Sequence, residues 1–400
     1  MDLAPLKAAW ELIDQRVEEQ NECVWDAAKA KGLMAGYHRR WSDQTYMTVA
    51  TEQQFELPIV NPETGRQSRT FYQAGKYDGI IKDGSRHFLL EHKTTSDSIE
   101  SPDSPYFKRL DIDSQVSMYV LAHWQSGIKL DGTVYDVIKK PGIRPIQVPK
   151  ATKKKLAERN TVGTRHELLN FGSYYGWKIH SEDLSRCADD KGDHTESPIM
   201  YTNRVAASCF NKPNWYFQRR MIPRLDGEIL EWAQELWDAS HAIREPNHKA
   251  RHFRTSAACM QYGTPCRYLG VCSGRDTLDS DKWIRTPCVH PELDMGESDG
   301  RDALTNSRIK TYQTCRRKHH YSYNLGVVRR DKEESPALTF GTLLHEALRV
   351  WFDCYRENPN GNDSYEETGQ SAVIANGESH LGERSTGREE TTAEIDSTWS

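Results

Sequence analysis

The stretch from Phe71 to Thr95 constrains the fold more than any other part of the 400-residue chain. FYQAGKYDGIIK (71–82) and RHFLLEHKTT (86–95) both read as strands, and Asp83-Gly84 between them is a strong hairpin signal. A strand alternates its faces, so Glu91 and Lys93 point the same way and His92 the other. Asp78 lies thirteen residues before Glu91, on the preceding strand, where an antiparallel ladder brings the two close. Two buried carboxylates repel, and one lysine does not neutralise both; a divalent cation does. Hard oxygen donors with few protein contacts suit Mg2+ or Mn2+, which lower the pKa of bound water. Lys93 is then placed to position that water or to offset developing negative charge.

The flanking sequence builds an α/β frame around this hairpin. Residues 5–31 read as helical, with Leu6, Trp10, Ile13, Val17 and Val24 at helical spacing. VATEQQFELPIV (49–60) alternates like a strand and completes a β-meander. LDIDSQVSMYVLAHW (110–124) is expected as a helix, and TVYDVIKKPGI (133–143) as a strand stopped by Pro141. Further helices are expected at 164–172, 223–244 and 335–353, the last turning Leu343, Leu344, Ala347, Leu348 and Trp351 inward. Another starts at Thr305, Asn306 or Ser307, whose side chain caps the first free N–H groups.

Composition narrows the setting. The chain is only 36% hydrophobic, but eleven Trp and eighteen Tyr supply large buriable surfaces. No apolar run approaches the roughly 18 residues of a membrane span, and MDLAPLKAAWELIDQ lacks the basic start and apolar core of a signal peptide. A cytoplasmic, reducing location is expected, with no membrane partner and with nine cysteines as thiols or metal ligands rather than disulfides. The net charge of −5 is uneven: residues 354–400 hold ten Asp/Glu against three Arg, which leaves +2 on residues 1–353. That acidic tail has the composition of a disordered segment. Basic clusters stand at 150–155 (KATKKK), 218–220 (QRR) and 315–320 (CRRKHH). Such runs are ordinarily solvated faces and gain meaning only beside a site.

The arrangement GKYDG-x11-EHK resembles the PD-(D/E)XK nuclease superfamily, with Asp78, Glu91 and Lys93 on its core motif and Tyr77 in place of the name-giving Pro. Gln115-Val-Ser-Met-Tyr119 is similar to the Q-x-x-x-Y motif of the RecB-like branch; at i and i+4 its two polar residues share one helical face. FGTLLHEAL is similar to that branch's G-x-x-x-H helix, with Gly341 and His345. The resemblance implies a restriction-endonuclease-like core and metal-dependent hydrolysis of DNA phosphodiesters, mostly from ends. Asp78, Glu91 and His345 would hold Mg2+ or Mn2+, and Gln115 and Tyr119 would orient substrate. Arg316, Arg317, Lys318, Lys153 and Lys154 would contact backbone phosphates without reading sequence. The iron–sulfur type within that branch further implies a [4Fe–4S] cluster on Cys259, Cys266, Cys272 and Cys315. The triplet spacing here, x6 then x5, is looser than that type's C-x2-C-x5-C, and zinc is the competing ion for four thiolates. Cys23, Cys187, Cys209, Cys288 and Cys354 read as ordinary thiols.

The motif order is inverted. In that branch the cysteine-bearing helix and the histidine come first, whereas here Cys315 and His345 follow everything else. The expected organisation is a nuclease core over 1–150, a helical region ending in the cysteines over 151–275, a linker over 276–303, a helical segment over 304–353 and the tail. A circular permutant and a truncated second domain both account for this order. One complete site can then assemble within the chain or by exchange between two copies as a homo-oligomer. The resemblance points to a bacterial or phage protein of DNA repair or recombination, with recombination or replication proteins as partners. Two other readings fit the residues: a non-catalytic DNA-binding or scaffolding module that keeps fold and cluster, and a zinc-binding structural protein.

Overall fold

The structure is a computed structural model and describes residues 2–20, 23–145, 198–244, 252–261, 263–291, 293, 300–331 and 336–356. The expected helix at 164–172, Lys153, Lys154, Cys187 and the tail beyond Arg356 lie outside them.

One mixed sheet organises the chain. Strands β1 (Met47–Val60), β2 (Gln67–Asp83), β3 (Arg86–Thr95), β4 (Gly132–Lys139) and β5 (Phe217–Ile222) lie in that spatial order. All neighbours are antiparallel except β3 and β4, which run parallel. The turn joining β2 to β3 is the expected Asp83-Gly84 pair, and Gly84 takes φ +63°, open to glycine without steric cost. β2 outruns β3, and the far part of its edge is paired instead by β7 (Asp302–Leu304), which joins in parallel. The stretch read as a linker therefore contributes a strand to the main sheet. It also holds β6 (Trp283–Arg285), which pairs with β8 (Val327–Arg329).

Helices cover both faces. On one side lie α1 (Ala4–Gln20), α2 (Val24–Trp41), α4 (Pro198–Asn211) and α7 (Pro336–Asp353); on the other lie α3 (Ser114–Gln125) and α5 (Asp226–Arg244). β4 sits between the layers, so its side chains divide: Val134 and Ile138 enter the first core, Tyr135 and Val137 the second. The helical stretch expected over 5–31 is two helices, one ending at Gln20 and the other starting at Val24, and both pack on α7. α4 packs on α2 at very close approach: a Cβ at Gly32 would stand 2.6 Å from the Thr202 carbonyl, and one at Gly36 2.4 Å from the Cys209 Cβ. Two glycines one turn apart make that contact possible.

The segment 304–353 is woven into this frame rather than set apart from it. Thr305 caps α6 (Asn306–Thr314) by accepting from the Arg308 amide, at 3.2 Å. The five residues expected inward on α7 are all buried, Leu344, Ala347, Leu348 and Trp351 completely. α7 packs against α1 and α2 from the other end of the chain, and Arg16 donates to both carboxylate oxygens of Glu346, from Nε and Nη2.

Candidate active site

Three elements converge where β2 and β3 leave the hairpin. In the register Gly79 faces Leu90, so the next step sets Asp78 beside Glu91. β3 sends Phe88 and Leu90 into the α1/α2/α7 core and Leu89 toward α3, and Glu91 and Lys93 continue the α3-facing row. Glu91 is buried, with its side chain 3% exposed. Lys93 Nζ donates to Glu91 Oε1 at 2.6 Å and to Gln115 Oε1 at 2.8 Å. Gln115 Nε2 donates to the Tyr119 hydroxyl at 2.9 Å, which in turn donates to the Lys76 carbonyl at 2.7 Å. The Q-x-x-x-Y pair thus forms a relay from α3 that fixes the lysine head. His345 arrives from α7, its Nδ1 3.7 Å from Asp78 Oδ1.

The electrostatics fit a site that lacks positive charge. Burial raises the carboxyl of Glu91, and the nearby Asp78 charge raises it further; Lys93 only partly offsets this, leaving it at about 7. Burial also works against Asp78, but His345 and His92 outweigh it and hold that carboxyl at about 2. Burial lowers His345, yet Asp78 and then Glu91 bring it above its ordinary value. Lys93 is likewise raised, since Glu91 and Asp113 overcome its desolvation. One atom is left over: Glu91 Oε2 is buried with no hydrogen-bond partner among the described residues. An orphaned carboxylate oxygen beside a second carboxylate and an imidazole is a donor set that Mg2+ or Mn2+ fits. Among the described residues no group of three or more His, Cys, Asp or Glu side chains, the four cysteines included, stands close enough together to hold a metal ion as placed.

Sequence reading missed the apparatus behind β3. Asp136, fully buried on β4, stands opposite His92 in the parallel register and Arg219 in the antiparallel one. Its Oδ2 meets His92 Nδ1 at 2.9 Å and accepts from the Tyr37 hydroxyl, and its Oδ1 accepts from Arg219 Nε at 3.1 Å. The His92 amide donates to Asp78 Oδ2 at 2.7 Å, so this network ends on the candidate ligand. A lone acid within the strand run VYDVI (134–138) was the available signal. Asp113 was also missed; it caps α3 and lies 3.9 Å from Lys93 Nζ.

The four cysteines share a second place. Cys259, Cys266, Cys272 and Cys315 line one cavity together with Arg254 and Lys318. The Thr255 amide points at Cys315 Sγ from 3.5 Å. Burial raises that thiol, but the amides of Thr255, Lys318 and Arg317 outweigh it, so it ionises more easily than an ordinary cysteine. Of the other cysteines, Cys209 is buried, and Cys23, Cys288 and Cys354 are exposed. Arg316, Arg317 and Lys318 follow Cys315 on a short helix at the cavity's edge.

A family model of the PD-(D/E)XK nuclease superfamily matches residues 2–273 and 303–397. The chain belongs to the PD-(D/E)XK nuclease superfamily. Searches of curated proteins and of solved structures return no match. Membership accounts for the mixed sheet flanked by helices, and it makes nuclease chemistry the activity to expect of this site. The first matched segment contains α1 and α2, and the second contains α7, which packs on both. Among the described residues no helix is long and apolar enough to cross a membrane.

Proposed function

We propose that this chain is a metal-dependent deoxyribonuclease of the RecB-like type that degrades DNA from its ends. The observation that carries the reading is the meeting of Asp78, Glu91 and Lys93 with His345, although some 250 residues separate the hairpin from the histidine. Asp78, Glu91 and His345 would hold Mg2+ or Mn2+, which when bound supplies a Lewis acid and lowers the pKa of the attacking water. Lys93, fixed by Gln115, presents its ammonium to the scissile phosphate and stabilises charge that develops there. Tyr119 keeps Gln115 oriented, and both border the substrate. Arg316, Arg317 and Lys318 carry the backbone of the DNA. End-directed action rests on the resemblance to the RecB-like branch.

The cysteine cavity belongs to the same proposal. Its four thiols would hold a [4Fe–4S] cluster, supported by the shared cavity and by the amides aimed at Cys315. Protein purified anaerobically should then be brown, whereas colourless protein with stoichiometric zinc would replace the cluster by a zinc site. The activity test is degradation of linear and of covalently closed circular DNA, with Mn2+ and with EDTA. Loss of linear DNA alone, only with Mn2+, supports the proposal; failure to cut either substrate leaves a non-catalytic DNA-binding module.

A further inference from the structure

The β1–β2 ribbon extends far beyond the candidate site, and its distal end is unusual in charge. Among the described residues, Arg66, Gln67, Ser68, Arg69 and Arg301 line an open concavity of about 840 Å3, and none of these described lining residues is a carboxylate. Arg66 and Arg69 are exposed, and among the described residues neither guanidinium has an ion-pair partner, in contrast to Arg16, Lys76 and Arg349 nearer the site. Arg301 enters beside the strand that pairs with β2, its guanidinium 5.8 Å over the Tyr72 ring. The backbone beneath is fixed rather than loose: Ser68 Oγ accepts from the amides of Thr70 and Phe71. Asn61 Oδ1 closes the hairpin turn by accepting from the amides of Glu63 and Thr64.

We infer that this concavity is a second nucleic-acid contact, which grips the phosphate backbone of a substrate duplex far from the scissile bond. The inference rests on the proposed nuclease function for its direction. Arginine forks match phosphate oxygens, and a chain of net charge −5 depends on local patches to attract a polyanion. Strand β2 is also a ruler, because it carries both Arg69 and Asp78. Nine residues at ~3.3 Å each separate them by at most about 30 Å. Duplex DNA advances ~3.4 Å per base pair, so the span corresponds to about nine base pairs. A duplex shorter than that reaches the site without reaching the arginines.

The test compares the full-length chain with Arg66→Ala/Arg69→Ala and Arg66→Lys/Arg69→Lys variants, on labelled linear duplexes of about 6 and about 20 base pairs. Binding is read by fluorescence anisotropy across a salt series without divalent cation, and cleavage is read with Mn2+. The alanine pair should weaken binding of the long duplex about tenfold and flatten its log–log salt slope by about 1.8, for two lost phosphate contacts. It should leave the short duplex and kcat unchanged, and the lysine pair should recover most of the loss. Equal binding and slope on the long duplex would overturn the inference, as would an equal loss on both lengths. If wild type binds but never cleaves, the nuclease reading fails on its own, and the anisotropy series still decides the patch.

Discussion

Glu91 is costly to ionise where it lies. Its carboxyl is raised to about 7 by burial and by Asp78, so in the metal-free protein its ionisation opposes folding. The sign is that of a raised acid: stability is fullest below about pH 4.5 and declines as pH rises through about 7. The decline amounts to on the order of 3 kcal/mol, since each tenfold change in proton affinity is worth about 1.4 kcal/mol. Asp78 acts oppositely, at about 2, and its contribution is lost only as pH falls from about 4 toward 2. Chemical denaturation of the metal-free protein between pH 4.5 and 8 should show the Glu91 slope, and Glu91→Gln should flatten it. A variant with the wild-type slope would place the titration elsewhere. Metal binding needs the ionised carboxylate and a neutral His345, so the Mn2+ concentration for half-maximal cleavage should fall at least about tenfold for each unit that pH rises toward 7 and flatten above it. A flat dependence from pH 6 to 8 would remove Glu91 from the ligand set.

Individual elements hold these residues by packing that the sequence shows only in part. Trp351 is fully buried on α7, donates from Nε1 to His38 Nδ1 at 3.0 Å, and packs edge-on against Tyr37. Trp351→Ala should cost about 3–5 kcal/mol and, by loosening α7, displace His345 as well. Tyr37→Phe removes one buried hydroxyl and should cost about 1–3 kcal/mol, whereas Asp136→Ala strands a buried Arg219 and should cost about 3–5 kcal/mol. Thermal melts order these three; a Tyr37→Phe variant as unstable as Asp136→Ala would mean the network is not centred on the aspartate. The hairpin with Asp78, Glu91 and Lys93 was legible because period-two alternation and Asp-Gly are local signals. The inward face of α7 was legible for the same reason. The Asp136 network was not, since its members come from α2, β3, β4 and β5 and meet only through tertiary register. The break near Cys23 was equally invisible, because helical periodicity runs across it.

At the scale of the molecule, the inverted order of motifs is reconciled by interlocking. α7 closes on α1 and α2, β7 pairs with β2, and Cys315 reaches the cavity of the other three cysteines. Removing residues 304–400 should therefore abolish both cleavage and metal cluster, while removing only 357–400 should spare both. Addition of the 304–353 segment in trans should restore part of each. A 1–303 fragment that cuts DNA and keeps its cluster would make the C-terminal segment dispensable and release His345 from the site. The most direct measurement is Mn2+-dependent degradation of linear duplex DNA by wild type and Glu91→Gln, both shown folded and both binding DNA. Wild type should digest the DNA, and Glu91→Gln should leave it intact. Cleavage by Glu91→Gln at the wild-type rate would remove Glu91 from the catalytic site.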